Sequence, residues 1–368
     1  MIIPLVDLKA QYLEIKNELD DAVNLCISDA SFIKGKVVTE FENEFADYIG
    51  TDYCIGCGNG TDALEIIMAS LGIGVDDEVL VPALSWIATA EAVNNVGAEP
   101  VFVDINPDNF TIDVSKIEAK IGPKTRAIIP VHLYGSPCDM SEIEIIAKKH
   151  GLFIIEDCAQ AHGAEFNGKK TGSFGIASAF SFFPSKNLGA FGDAGAIVTS
   201  NKEVAETARR ISNHGQLNIK HSHSRIGRNS RLDSIQASVL KVKLKHLNRW
   251  NDQRINIAAI YNSRLNGIKD LMLPESEPLK KHVFHLYVIR SGRRDELITE
   301  LNKNNISWGI HYPHAIPFLE AYNYKNHTTS DFPISEKATN EILSLPVYPE
   351  LTDNDVEFIC SRIINLYG

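Results

Sequence analysis

The chain has 368 residues and carries 36 Lys and Arg against 47 Asp and Glu, a formal net charge of −11. That balance excludes broad binding to nucleic acid, whose affinity comes from neutralising phosphates with basic side chains, but leaves room for a local pocket that takes one diphosphate. The length exceeds what one ordinary core fills and predicts a large and a small domain, divided as 1–250 and 251–368.

Six cysteines (Cys26, Cys54, Cys57, Cys138, Cys158 and Cys360) are scattered without a disulfide framework. The segment Met1–Asp7 lacks a basic leader, and no stretch reaches the ~20 apolar residues of a membrane span. A cytoplasmic protein without membrane partners is the expectation.

Strand-like segments come first at Glu78–Val81, Pro100–Asp104, Ala127–Val131, Leu152–Asp157, Ala177–Phe182 and Ala196–Thr199. Helical patterns separate them, such as Ser141–Lys149 with a glycine stop at Gly151. Strands apolar on both faces and alternating with helices predict an α/β fold with a mostly parallel sheet, and ligands bind such sheets beyond the carboxyl ends of the strands. One long helical region is expected from Asp233 to Arg264. A strand at His285–Arg290 and a helix at Asp295–Leu301 then begin a smaller α+β unit.

The chemistry-bearing residues fall just after strands. Lys186 follows an apolar strand within Ser181-Phe182-Phe183-Pro184-Ser185-Lys186, and the glycine-rich run Gly189–Gly195 allows close approach of backbone to a ligand. A lysine after a strand is most often a solvated surface charge. Asp157 ends a buried strand, where it serves either as a helix cap or as the carboxylate that keeps a pyridinium nitrogen protonated. The two residues together point to a pyridoxal 5'-phosphate (PLP) site more strongly than either alone.

Cys57-Gly58-Asn59-Gly60-Thr61 runs into an apolar helix, a start suited to phosphate. Trp86 sits after a strand, where it stacks on a flat ring or joins the core. His162 is a cofactor contact or a polar loop residue. Neither Cys54-x-x-Cys57 nor the histidines His214, His221 and His223 have partners at metal-ligand spacing, so no metal is expected and the histidine-dense loop reads as mobile and exposed.

In order and spacing these segments resemble the DegT/DnrJ-type nucleotide-sugar aminotransferases over nearly the whole chain, from Pro4-Leu5-Val6-Asp7 to Ser344-Leu345-Pro346-Val347. The resemblance implies the fold-type-I architecture of PLP enzymes, with a seven-stranded, mostly parallel sheet flanked by helices and a smaller α+β C-terminal domain. It implies that Lys186 binds the cofactor and moves the proton, that Asp157 pairs with the ring nitrogen, and that Gln160 approaches the ring hydroxyl. Trp86 would stack on the ring, and Gly60, Thr61 and Ser181 would hold the phosphate. Asn229 would reach the phosphate, and Arg231 the substrate, across the interface of a homodimer with shared active sites. Phe32, Ser185, His311 and Tyr312 match positions that contact the nucleotide sugar. After Pro313 the run His314-Ala315-Ile316-Pro317 departs from the pattern of relatives.

The segments Asn229–Asp233, Leu240–Leu244 and Trp250-Asn251 resemble the branch that aminates C-3 of dTDP-linked 3-keto-6-deoxyhexoses, whereas Asn213–Gln216 and His221–Arg225 resemble enzymes of UDP-linked 3-keto sugar acids. Arg225, Arg228 and Arg231 are the cations available to a diphosphate. Glutamate is the implied amino donor, and aminosugars of O-antigen (lipopolysaccharide) or other surface glycans are the implied product. Amination at C-4 is the rival reading. A PLP-binding regulatory protein without turnover is the reading of another class.

Overall fold

The computed structural model describes residues 2–216, 221–275 and 277–368. Seven strands form the central sheet: β1 (Tyr53–Cys57), β2 (Glu78–Pro82), β3 (Glu99–Val103), β4 (Thr125–Ile128), β5 (Phe153–Asp157), β6 (Ala177–Ser181) and β7 (Gly195–Thr199). Their spatial order is β1-β7-β6-β5-β4-β2-β3. Only β7 runs against its neighbours, pairing antiparallel with β1 and β6. Val79, Leu80, Val81, Ile128 and Ile155 are fully buried, as strands covered by helices on both faces require. The sheet is the expected one. Strand β1 escaped the sequence reading because Tyr-Cys-Ile-Gly-Cys lacks a β-branched run.

Helix ends follow local chemistry. Asn59 caps helix Gly60–Ser70 by accepting from the Asp62 amide, and Asp139 caps Met140–His150, which Gly151 ends in a left-handed conformation. The expected long helix is instead two, Ser234–Leu244 and Leu247–Leu265. The Lys245 and His246 amides bond three residues back, to Val242 and Lys243, which tightens and turns the chain. No glycine or proline marks that break.

The C-terminal part adds a small antiparallel sheet of β8 (Leu271–Met272), β9 (Tyr287–Ser291) and β10 (Ile342–Leu345). Helix Leu247–Leu265 packs on it through Ile257 and Tyr261, and helix Asp353–Tyr367 through Val356, Ile359 and Ile363. The chain's beginning joins this core. Ile3 is buried in it and exchanges backbone hydrogen bonds with Asn305 and Ser307.

The end of β5 is held by Glu156, which is fully buried. Its carboxylate accepts from the amides of Gly172 (2.7 Å), Phe174 (2.8 Å) and Gly175 (2.8 Å), and from Ser178 Oγ (3.0 Å). His132 Nε2 lies 3.0 Å away, while its Nδ1 accepts from the Cys138 amide, so the ring donates to Glu156. Glu156, His132 and Cys158 lie close enough to suggest a metal site, but these donors occupy the carboxylate. Burial pushes the Glu156 carboxyl up, and the hydrogen bonds outweigh that and hold it below the usual range. Glu156→Gln puts an amide donor among these donors; a loss of about 3 kcal/mol in chemical unfolding is expected, and an unchanged midpoint would refute the network's role.

Candidate active site

A cavity of about 780 Å³ lies beyond the carboxyl ends of β2, β5 and β6, roofed by the C-terminal unit. That position and size suit a small-molecule site. Ten of the residues singled out in the sequence line it: Gly60, Thr61, Trp86, Asp157, Gln160, Ser181, Ser185, Lys186, His311 and Tyr312.

Lys186 is presented by a turn in which its amide bonds to the Phe183 carbonyl. Gly189 serves this turn, because a Cβ there would lie 2.2 Å from the Pro184 carbonyl oxygen, while Gly195 lets its strand pass close to the helix start at Asn59 and Gly60. Burial pushes the Lys186 amine down to about 8, against the upward pull of Asp157. The Asp157 carboxyl is pushed up by burial, with the Ala159 amide and Thr89 opposing. Thr89 Oγ1 donates to Asp157 Oδ2 at 2.9 Å, and the Ala159 amide to Oδ1 at 3.1 Å. Since the one proton of Thr89 goes to Asp157, Ser85 Oγ, 3.0 Å from Thr89 Oγ1, is the donor of that pair.

Gln160 is held in one orientation. The Tyr134 amide donates to its Oε1 (2.6 Å), so Nε2 faces Tyr312, to whose hydroxyl it donates at 3.0 Å. Burial pushes the Tyr312 phenol up to about 12, which keeps it protonated at neutral pH. The Tyr134 hydroxyl donates to the His311 carbonyl, and His311 Nδ1 lies 2.8 Å from Ser344 Oγ. Trp86 is 58% exposed and stands 5.5 Å from the Tyr312 ring, so it is a cavity wall and not a core residue.

Opposite these groups, helix Gly60–Ser70 aims its free amides at the carboxyl end of β6. A Cβ on Gly60 would meet Ser181 Cβ at 2.8 Å, so only glycine lets helix start and strand end form one cradle. A partly buried amine with a lowered pKa, a buried carboxylate across from it, an exposed indole and an anion cradle fit PLP group by group.

Three expected residues are not in this chain's cavity. Phe32 is exposed, and its carbonyl accepts from the Ser234 amide. Asn229 bridges to Asn213, and Arg231 donates to Asn213 Oδ1 at 3.3 Å. Arg228, counted among the free cations, is engaged by Asp62 and Glu65 of its own chain. His162 is neither a cofactor contact nor a loop residue in solvent: it is fully buried against Phe180 and Phe182, and burial pushes it down to about 3. His214, His221 and His223 are exposed, and residues 217–220 of that loop lie outside the described residues. The sequence reading missed Thr89, Tyr134 and His285. The Ser85-x-x-x-Thr89 spacing after a strand was a usable signal; Tyr134 and His285 carried none.

The model of the DegT/DnrJ/EryC1/StrS aminotransferase family matches residues 13–364. A pleiotropic regulatory protein of Geobacillus stearothermophilus is 43% identical over 372 aligned residues, covering 100% of this chain and 99% of the relative. A UDP-N-acetyl-3-dehydro-alpha-D-glucosamine 3-aminotransferase of Acidithiobacillus ferrooxidans is 44% identical, covering 98% and 97%. A dTDP-3-amino-3,4,6-trideoxy-alpha-D-glucose transaminase of Streptomyces venezuelae is 43% identical, covering 95% and 92%. The crystal structure of S. venezuelae DesV superposes with a TM-score of 0.98 at 41% identity, covering 100% of this chain and 99% of that one. The chain thus belongs to the DegT/DnrJ/EryC1/StrS aminotransferase family, as an aminotransferase whose cofactor is PLP.

Proposed function

We propose that the protein moves an amino group from an amino acid, L-glutamate first, to the C-3 ketone of a nucleotide-linked keto sugar. A dTDP-linked 3-keto-6-deoxyhexose is the favoured acceptor and a UDP-linked 3-keto sugar the second. The observation that carries the reading is the pairing of Lys186 with Asp157 across one cavity, in a chain whose relatives are named as 3-amino-sugar transaminases. The Geobacillus relative's name supports the regulatory reading, but Lys186, with its amine lowered toward neutrality, favours turnover. Amination at C-4 stays an outcome of the test.

The cofactor supplies an aldehyde that receives the amino group and a ring that draws electrons from the reacting carbon. Lys186 Nζ takes the proton from the donor's α-carbon and in the second half gives it to the sugar carbon. Asp157, its carboxylate oriented by Thr89, would hold the ring-nitrogen proton. Gln160 would donate to the ring hydroxyl through Nε2, and Trp86 would stack on the ring. Gly60, Thr61 and Ser181 hold the phosphate; Ser185, His311 and Tyr312 face the sugar.

Asn229, Arg231 and Phe32 act in the cavity of a second copy, so the unit of function is a homodimer. Supporting this, the three lie outside their own chain's cavity and on connected backbone, since Ile33 bridges Asp233. The two-domain division at 250/251 belongs to the same reading, supported by the separate C-terminal core. We place the reaction in the cytoplasm, upstream of a surface-glycan aminosugar such as that of O-antigen.

With PLP and glutamate, the wild-type protein is expected to lose its cofactor absorbance band and to regain it on addition of one 3-keto dTDP- or UDP-sugar. Recovery only with 4-keto sugars would move the chemistry to C-4. Lys186→Ala is expected to abolish both halves, and the same band in that variant would sink the cofactor reading. Only the neutral amine attacks an aldehyde. PLP capture by the cofactor-free protein should therefore rise through pH 8, the value to which burial pushes Lys186, and level off above it. A tenfold rise per unit continuing toward the ordinary lysine value of about 10.4 would contradict that environment. Between those values the unfolded chain binds the extra proton, so the cofactor-free fold gains stability as pH rises. Thr89→Val should weaken PLP binding about tenfold, Thr89→Ser much less, as read by cofactor dissociation; equal losses would make Thr89 a packing residue only.

A further inference from the structure

The cavity extends past the groups assigned above. At the end toward the C-terminal unit its wall is Leu5, Val6, Leu345 and Val347, with one charged side chain among them, Arg254. Arg254 projects from helix Leu247–Leu265 and is 3% exposed. Its Nη1 donates to the carbonyls of Val347 (2.6 Å) and Phe284 (3.3 Å), and neither bond uses Nη2. Its Nε is buried without an acceptor.

Among the described residues no carboxylate lies within 4.0 Å of the guanidinium. Glu350 acts on it from beyond that reach, and Glu350 Oε1 is itself buried without a donor. Burial pushes Arg254 down to about 10, so it stays charged at neutral pH. Glu350 at that distance offsets only part of the cost of enclosing this cation, and an arriving anion in direct contact relieves more of it.

Among the described residues only Lys186 and Arg254 bring a lysine or arginine to the wall of this cavity. His285 and His311 are pushed down by burial, so they stay neutral near pH 7. Lys186 is committed to the amine and the proton. An amino-acid donor must bring its carboxylate into the same closed space. We propose that Arg254 is the carboxylate-binding residue for the amino donor, at the inner end of the cavity.

The inference rests on the aminotransferase site described above and deepens it. A site that takes two substrates in turn then has two anion positions. The donor's carboxylate goes inward to Arg254. The sugar's diphosphate stays at the mouth, near Arg231, the cation assigned to the second copy. His285 lines the same cavity as Lys186 and Arg254.

Arg254 also ties two backbone carbonyls, so the test must separate binding from support. In holoenzyme of wild type, Arg254→Lys and Arg254→Gln, three quantities are measured: thermal midpoint with bound PLP, glutarate binding by calorimetry, and the two half-reactions separately. Glutarate carries the donor's carboxylates without its amine. The sugar half starts from protein loaded with pyridoxamine phosphate. For Arg254→Gln, glutarate affinity and the glutamate half-reaction are expected to fall about 30-fold to 100-fold, mostly in KM, with the sugar half changed less than about threefold. Arg254→Lys, which keeps the charge, should recover part of the loss. If both halves fall together with the midpoint, or if glutarate binds Arg254→Gln as it binds wild type, the proposal is wrong. Wild type that binds glutarate through Arg254 yet aminates no keto sugar would overturn the proposed acceptor and leave the carboxylate site standing.

Discussion

Two consecutive acids end β5, and strand alternation sends them to opposite faces. Glu156 goes into the protein, where three backbone amides, one hydroxyl and an imidazole meet it. Asp157 goes into the cavity. The buried carboxylate is stable only if every donor is in place, so the loop 172–175, the start of β6 and the His132 turn are all positioned from one point. Because β6 leads to Ser181 and the Lys186 turn, the carboxylate and the amine of the site inherit their separation from that network.

The electrostatics of the cavity follow from limited access to water. Burial lowers Lys186 and raises Asp157, moving both toward neutrality, and each partly restores the other's charge. Thr89 and the Ala159 amide bond to separate oxygens of Asp157 and bias it toward the ionised form that a ring nitrogen needs. Gln160 is fixed from behind by the Tyr134 amide, and Tyr134 also holds the His311 carbonyl on the C-terminal side. One tyrosine therefore couples the floor of the cavity to its roof. Arg254 ties two segments of the roof to each other, through the carbonyls of Phe284 and Val347.

Much of this was legible because it is local. Alternation of apolar strands with helices, each stopped by a cap or a glycine, is a property of short segments, and so is the placement of Asp157 and Ser181 at strand ends and of Lys186 just beyond one. The break at Lys245 and His246 was not legible, since continuing and turning differ there only in which carbonyl accepts each amide. Nor was the engagement of Arg228. Its partners Asp62 and Glu65 lie more than 160 positions away, and their meeting depends on how helix Gly60–Ser70 packs.

The sequence by itself determined the fold class, the order of the chemical residues and the family, because periodicity, caps and motif spacing are written in neighbouring positions. Tertiary structure decided which of those residues share a cavity in one chain, leaving Phe32, Asn229 and Arg231 outside it. It also decided that His162 is core, that Thr89 addresses Asp157, and that Arg254 is enclosed with its Nε lacking an acceptor. The physical reason is common to all of these. Burial and pairing set the charge state and availability of a side chain, and both are created only when segments distant in the chain close around it.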